Sequence, residues 1–191
     1  MVAHRGVYPG SFNPPTTAYL AISEAARHQF DLTEVVWTVR QVALAKEHVS
    51  RPRFDHRIAV LNAVADRIEW LAVATTHHQL LVDIAQGYDV LIMGADKWHQ
   101  IQDPVFYDDD PVRRDAAMSA LPPVAVAPRP PLDVPEHLLL DVPGWAAYVS
   151  STGARTGERS MMLDEAQVFD TETGAWTDVE RYDAWLERHW S

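Results

Sequence analysis

Short apolar runs alternate along this chain with longer stretches whose apolar residues recur at three- and four-residue spacing. The short runs have the length of buried β-strands, and the longer stretches have the periodicity of amphipathic helices. This alternation predicts an α/β fold with a doubly wound, mostly parallel sheet and helices on both faces. The expected strands are 6–8, 35–39, 70–74, 90–93, 124–126, 138–140 and 147–149, and the expected helices are 17–29, 54–65, 78–85 and 111–120.

The length of the chain and its C-terminal part together indicate one domain. The 191 residues, 47% of them hydrophobic, can bury a substantial core and fall in the usual size range of a single domain. Prolines recur between Pro122 and Pro135 and remove backbone donors, so we expect a surface excursion around a short strand there. The amphipathic run 179–190 predicts a terminal helix. We therefore expect one domain over 1–191, in which 156–191 form a C-terminal helical extension.

The acidic composition disfavours partners that are recognised through long-range attraction to a polyanion. The formal net charge is -11 at a sequence pI near 5.1, whereas binding to a nucleic-acid backbone requires clustered Lys and Arg. We expect neither a nucleic acid nor a membrane surface as a partner. A local basic pocket for one small phosphate compound is compatible with this net charge.

Cysteine usage and the N-terminal residues bear on redox chemistry and location. The chain contains no cysteine, which excludes disulfides and thiolate metal sites. Its first residues lead directly into a strand-like segment without the apolar core of a signal peptide, and no later apolar run has the length of a membrane span. We therefore expect a cytoplasmic protein.

A turn with the features of an anion site follows the first predicted strand. Gly10 has no Cβ and can approach a ligand closely, and a helix is expected to begin near Thr16 or Thr17, either of which can cap it. The N–H groups and the positive dipole end of that helix favour a phosphate. On its own, this pattern also fits an ordinary strand-to-helix turn.

The run from Val7 to Tyr19, Val-Tyr-Pro-Gly-Ser-Phe-Asn-Pro-Pro-Thr-Thr-Ala-Tyr, resembles the first motif of the HxGH/TxxH nucleotidyltransferases. Within that superfamily it is most similar to nicotinamide or nicotinate mononucleotide adenylyltransferases, and it implies a Rossmann-like nucleotidyltransferase fold. In this family the loop holds the ATP phosphates, which implies that role for Gly10, Ser11 and Phe12. Thr16 and Tyr19 fill the two polar positions that face the reacting phosphate, and the family has His where this chain has Tyr19.

Two further segments match the family in order and spacing. Gly94-Ala95-Asp96 ends a buried strand and resembles the family's Gly-x-Asp motif, which implies nucleotide contacts for Gly94 and Asp96; capping of a helix by Asp96 is the alternative. The run from Tyr148 to Arg155 resembles the family's Ile-Ser-Ser-Thr-x-x-Arg motif. Hydroxyls at a helix start expose N–H groups to phosphate, and the Arg adds a cationic donor. A capped helix with a surface Arg is the alternative. The residues assigned to nucleotide binding here are Ser151, Thr152, Gly153 and Ala154, with Arg155 as a catalytic residue on the triphosphate.

Between these motifs the similarity is weaker. Lys46 lies where the family often has a Lys that reaches the phosphates, and a solvated loop lysine is the alternative. Thr76 and His77 lie where the family recognises the nicotinyl group, and Tyr107 occupies the place of an aromatic residue that stacks on the pyridine ring. A core aromatic is the alternative for Tyr107. We interpret His56 and Arg57 as structural. The clustered His and Asp residues do not have the pattern of a metal site, so we expect no metal held by protein ligands.

The resemblance implies adenylyl transfer from ATP to nicotinate or nicotinamide mononucleotide, with Mg²⁺ arriving on ATP because it prefers phosphate oxygens and water. ATP and a small phosphorylated acceptor are then the expected partners. Because Tyr19 replaces the motif His, a nucleotide-binding homologue with weak or no catalysis is a second hypothesis. A third is an adenylyl- or cytidylyltransferase with another phosphorylated acceptor, since residues 7–12 also resemble phosphopantetheine adenylyltransferases. The C-terminal tryptophans predict packing, and the sequence leaves a homo-oligomer open.

Overall fold

Five parallel strands form a single sheet in the computed structural model, which describes residues 3–41 and 51–189. The strand order is β3-β2-β1-β4-β5, and every neighbouring pair runs parallel. The α/β fold with a doubly wound sheet is confirmed, as are five of the seven predicted strands. The strands are β1 (Arg5–Pro9), β2 (Glu34–Arg40), β3 (Leu71–Thr76), β4 (Val90–Gly94) and β5 (Val124–Ala127).

The chain reverses its winding direction at β1. From β1 it proceeds outward through β2 to β3, and it then crosses back so that β4 pairs with the other side of β1. The carboxyl ends of the strands lie at one edge of a parallel sheet, and the reversal opens a crevice there between the connections that diverge from β1 and β4. The fold thus places its natural ligand site beside the residues that follow β1 and β4.

Alternating side chains of the central strands enter two different cores, one on each face of the sheet. Val7 and Leu91 pack on one face, whereas Tyr8 and Ile92 pack on the other. This two-sided burial explains why the strands are apolar at nearly every position. Helices α1 (Thr17–Gln29) and α2 (Phe54–Ala65) cover the Tyr8 face, and helices α3 (Leu81–Ile84), α4 (Ala95–Gln100) and α5 (Pro111–Ser119) lie on the Val7 side.

Two predicted strands are wrong. Residues 138–140 contribute one bridge, Val126 to Leu139, after the 3₁₀ turn Glu136–Leu138, and residues 147–149 overlap the 3₁₀ turn Gly144–Tyr148. Both turns follow a proline, which suits a turn entry, and apolar runs this short do not distinguish a strand from a turn. The predicted helix 78–85 is shorter, at Leu81–Ile84. Within the described ranges, no helix is long and apolar enough to cross a membrane.

The C-terminal segment packs against α2 and builds a third apolar cluster. It contains helices α6 (Ser151–Arg155), α7 (Asp164–Thr173) and α8 (Val179–His189). Val60 of α2 contacts this cluster, which also buries Met162, Trp176 and Tyr182. The sequence predicted α8 and a helix start at the Ser150–Thr152 hydroxyls, where α6 begins, but not α7.

The buried carboxylate of Asp170 fixes the turn between α7 and α8. Its Oδ1 accepts from the backbone N–H groups of Trp176 at 2.8 Å and Thr177 at 3.1 Å. Its Oδ2 accepts from the Thr177 hydroxyl at 2.7 Å and forms an ion pair with Arg159, whose Nε lies 2.9 Å away. Asp170 is fully buried, so these donors replace the water that its charge would otherwise require. Gly174 supports the same turn with a φ of 76°.

We expect Asp170→Ala to lower the free energy of unfolding by about 2–4 kcal/mol, because it leaves buried N–H groups without an acceptor. Chemical denaturation monitored by tryptophan fluorescence measures this loss. Asp115→Ala is the matched control. The Asp115 side chain is 69% exposed and pairs only with its neighbour Arg114 in the described residues, so its loss should cost less than about 1 kcal/mol. Equal losses in the two variants would contradict this account of the turn.

Candidate functional site

A cavity of about 880 Å³ opens at the carboxyl edge of the sheet, beside the point where the chain reverses. It brings together three segments that are far apart in sequence, namely the β1–α1 loop, the end of β4 and the start of α6. Its volume lies in the range of small-molecule sites. The predicted site residues that line it are Gly10, Ser11, Thr16, Tyr19, Gly94, Asp96, Ser151 and Thr152.

The loop after β1 is shaped by an aromatic anchor. Phe12 is fully buried with a φ of 45°, and its ring stacks on Trp37 at a centroid distance of 4.8 Å. A Cβ on Gly10 would lie 3.0 Å from the Phe12 ring, which explains the glycine. The N–H of Gly10 donates to Thr38 O at 3.1 Å and ties the loop to β2. The side chain of Phe12 is therefore an anchor of the loop, and Phe12 is not among the residues that line the cavity.

Thr16 and Tyr19 lie at the start of α1. Thr16 occupies the N-cap position, but its side chain makes no capping hydrogen bond, contrary to the capping role expected of it. Thr16 is 1% exposed, and it lines the cavity. The ring of Tyr19 packs against Phe12 at 4.7 Å and Tyr8 at 5.7 Å, and its hydroxyl lies 3.5 Å from Ser151 Oγ. Tyr19 is thus both a core aromatic and a polar group of the cavity wall.

Helix α6 is docked on the β1–α1 loop. Ser150 Oγ accepts from Gly153 N at 3.0 Å and caps the helix. Ser151 Oγ donates to Pro14 O at 2.8 Å, and the Arg155 guanidinium donates to Asn13 O and, at 3.2 Å, to Thr152 Oγ1. Gly153, Ala154 and Arg155 are not among the cavity-lining residues, and Ala154 is buried in the C-terminal cluster.

Asn13 connects the loop to distant parts of the chain, a role that sequence reasoning missed. Its Oδ1 accepts from Trp176 Nε1 at 2.7 Å, and its Nδ2 donates to Arg51 O at 3.3 Å. Together with the Arg155 bond to its carbonyl, these contacts hold the loop from two sides. The C-terminal segment therefore acts on the site by positioning the β1–α1 loop.

Within the described residues, four cationic side chains line the cavity although the chain as a whole is acidic. The sequence prediction missed three of them, Arg40, Lys97 and Arg129, and treated Arg57 as structural. Arg57 does have structural contacts: it donates to Ser11 O at 3.4 Å and lies over the Phe54 ring. The available signal was position, because Arg40 ends β2, Arg129 follows β5, and Lys97 lies in the helix that follows β4.

Asp96 has an ion-pair partner in the cavity wall. Its Oδ2 lies 3.3 Å from Arg129 Nε. Partial desolvation and, after it, the positive charge of Arg40 lower the pKa of the Lys97 ammonium. The Lys97 ammonium donates to Gln100 Oε1, which also lies in the cavity wall. The local field is therefore positive, and an anionic ligand would be favoured there.

The residues expected to bind the acceptor are not brought into this cavity. Thr76 ends β3, and its Oγ1 accepts from the backbone N–H of His78 at 3.1 Å. His77 follows it, and neither Thr76 nor His77 lines the cavity. Tyr107 is buried, its hydroxyl donates to Ile101 O at 3.0 Å, and burial raises its pKa. Their binding roles stay predictions, and Lys46 lies outside the described residues.

No group of three or more His, Asp or Glu side chains within residues 3–41 and 51–189 is placed to hold a metal ion. Apart from Asp96, the described polar side chains that line the cavity are hydroxyls, amides and cations. Such groups suit the oxygen atoms of phosphates and carboxylates. The described part of the site therefore suits an anionic ligand.

Comparison with known proteins gives three findings. The profile of a family described as cytidylyltransferase-like matches residues 7–117. A "Probable nicotinate-nucleotide adenylyltransferase" from Salinibacter ruber (strain DSM 13855 / M31) is 38% identical over 55 residues, which are 29% of this chain and 28% of the relative. The structure of Plasmodium falciparum nicotinic acid mononucleotide adenylyltransferase complexed with APC shares the fold, with a TM-score of 0.56 at 12% identity over 98% of this chain and 96% of that chain.

We expect Trp176→Phe to loosen the β1–α1 loop, because the variant keeps an aromatic ring but loses the N–H that donates to Asn13. The free energy of unfolding should fall by about 1 kcal/mol. Hydrogen exchange measured by mass spectrometry should show faster exchange in residues 10–17. Trp98→Phe, at a half-buried tryptophan of the other core, is the matched control and should leave the loop's exchange unchanged. Unaltered loop exchange in Trp176→Phe would show that the contact does not position the loop.

Proposed function

Since this chain belongs to the cytidylyltransferase-like family of nucleotidyltransferases, we propose that it transfers AMP from Mg²⁺-bound ATP to the phosphate of a mononucleotide and releases pyrophosphate. The acceptor we propose is nicotinate or nicotinamide mononucleotide. The observation that carries the proposal is the convergence of the β1–α1 loop with Ser151 and Thr152 on one cavity that also contains four cations.

The names of the similar proteins support the acceptor class. The relative from Salinibacter ruber is named a probable nicotinate-nucleotide adenylyltransferase, and the structure from Plasmodium falciparum is named a nicotinic acid mononucleotide adenylyltransferase. The local similarity spans 28% of the former, and the latter shares only 12% of its residues with this chain. Both therefore support a proposal about the acceptor, which the acceptor assay below tests.

The proposed reaction needs one displacement at phosphorus. An oxygen of the acceptor phosphate attacks the α-phosphorus of ATP, the bond from that phosphorus to the oxygen bridging the β-phosphorus breaks, and pyrophosphate leaves with Mg²⁺. No covalent intermediate with the protein forms. Most of the acceleration should come from holding the two phosphates in line and from stabilising charge on the transferred group.

We assign the protein groups by their position. Gly10, Ser11 and Thr16 line the cavity at the positive end of α1 and are proposed to hold the ATP phosphates. Thr152 and Arg155 are proposed to contact the triphosphate from α6. Arg155 can do so only by exchanging part of its present contact with Asn13 and Thr152 for phosphate oxygens.

Tyr19 sets the expected rate. It offers a neutral hydroxyl donor where the family has His, whose imidazolium form would also supply a positive charge. Loss of one preorganised donor to developing charge typically costs about a hundred- to a thousand-fold in rate. A nucleotide-binding protein with little turnover is therefore the second candidate function. The observation that favours it is the packing of Tyr19 among Tyr8, Phe12 and Trp37, which commits the ring to the core.

We expect the wild-type protein to bind Mg²⁺-ATP and to release pyrophosphate slowly, and we expect Tyr19→His to raise kcat by about tenfold or more. A coupled pyrophosphate assay with either mononucleotide measures this, and CTP in place of ATP tests the donor. Tyr148→His is the matched control, because Tyr148 is 81% exposed and absent from the cavity wall. ATP binding by calorimetry without turnover in either form would leave only the binding function. No ATP binding would overturn both.

We expect Arg155→Ala to weaken Mg²⁺-ATP binding by about 1.5–3 kcal/mol, the usual contribution of a hydrogen bond to a charged group, which corresponds to roughly ten- to 150-fold in Kd. Calorimetric titration measures the change. Arg188→Ala removes an equal charge from the exposed surface of α8 and should leave Kd unchanged. If Arg155→Ala binds ATP as tightly as the wild type, Arg155 serves only to dock α6 on the loop.

A further inference from the structure

Two of the four cavity-lining cations have no acidic partner in the described part of the chain. Arg129 pairs with Asp96, and Arg57 donates to the backbone of the β1–α1 loop. Arg40 and Lys97 form no ion pair with any carboxylate in residues 3–41 and 51–189. The only polar partner of the Lys97 ammonium in those ranges is the neutral amide of Gln100.

These two cations lie on either side of β1. Arg40 is the last residue of β2, and Lys97 lies in α4, which follows β4; β2 and β4 are the two neighbours of β1. Both side chains line the same cavity, and partial desolvation and, after it, the charge of Arg40 lower the pKa of Lys97. Two like charges held together destabilise the chain by their repulsion. An anion that contacts both side chains converts that repulsion into attraction.

This pair is separate from the β1–α1 loop and α6, which are proposed to hold the ATP phosphates. The β1–α1 loop leads into α1, which covers the Tyr8 face of the sheet, and Ser151 contacts that loop. Lys97 is carried by α4 on the opposite face. The same cavity therefore offers anion-binding groups on two sides.

Apolar surface lies beside the cationic pair. Leu81 and Ile84 of α3 line the cavity together with Lys97 and Gln100. The side chains of Leu81 and Ile84 also pack in the core on the α4 side of the sheet. Apolar side chains next to two cations suit a flat ring that carries a negative substituent. A ring amide would contact the same apolar surface but would leave both charges without an anion.

We propose that Arg40 and Lys97 bind a second anionic group of the acceptor, a carboxylate on its ring, so that the protein selects acidic acceptors over the corresponding amides. This inference rests on the proposed function, because it assumes that the acceptor shares the cavity with ATP. It assigns acceptor specificity to residues outside the three family motifs. The attacking phosphate and the ring carboxylate would then be held by different groups.

Nicotinate and nicotinamide mononucleotide differ in this one group and provide a direct test. In calorimetric titrations, the wild type should bind the nicotinate form about tenfold or more tightly than the nicotinamide form. Arg40→Gln and Lys97→Gln should each weaken binding of the nicotinate form by about tenfold and change binding of the nicotinamide form and of Mg²⁺-ATP by less than about twofold. Lys97→Arg should restore most of the preference. Arg113→Gln removes an exposed charge outside the cavity and is the matched control.

Three outcomes would overturn the inference: equal wild-type affinity for the two mononucleotides, binding of neither, or loss of Mg²⁺-ATP affinity in parallel with loss of nicotinate mononucleotide affinity. The last would assign the pair to the triphosphate. Pyrophosphate release measured on the same proteins separates this inference from the proposed function. Tighter binding of the nicotinate form without turnover supports the proposed carboxylate site and refutes adenylyl transfer. Equal kcat/KM for the two mononucleotides supports adenylyl transfer and refutes the carboxylate site.

Discussion

The site depends on the parallel pairing of β1 with two neighbours. Pro9 lies opposite Thr38 of β2, and Val7 lies opposite Leu91 of β4, so all three strands end at the same edge. The connections from β1 and β4 lead to helices on opposite faces of the sheet. The residues just past the ends of these two strands therefore surround a space that neither α1 nor α4 fills. The loop glycine, the Gly94 segment and the cations that follow β2 and β5 meet there through this register, although they are far apart in sequence.

The sequence predicts the sheet well because burial on both faces leaves few polar positions in a strand. In β4 every residue before Gly94 is buried, and this run is recognisable without any partner. The short segments near 138–140 and 147–149 failed for the opposite reason. Their conformation depends on a preceding proline and on what they pack against, and runs of three apolar residues carry no period that separates a strand from a 3₁₀ turn.

Site residues were predictable where a local motif places them and not where a distant partner does. Gly10, Thr16 and Ser151 belong to short motifs and line the cavity as neighbours of one another. The hydrogen bond from Trp176 to Asn13 joins residues 163 positions apart, and neither residue type indicates such a contact in the sequence. Arg40 is an ordinary arginine in sequence, and only the fold shows that it lines the same cavity as Lys97. Contacts between residues far apart in sequence depend on the topology of the fold, and a local sequence pattern does not specify that topology.

Local and global electrostatics have opposite signs in this protein, and the distances involved explain how both persist. The net charge of -11 is spread over the surface, where salt screens interactions beyond about 8 Å at physiological ionic strength. Inside the cavity, Arg40 and Lys97 interact at shorter range and across partly desolvated walls, so their field is screened less. An anion bound there relieves their repulsion as well as gaining two attractions. Its binding must therefore raise the pKa of Lys97, because the charged form of that ammonium is the form the anion stabilises.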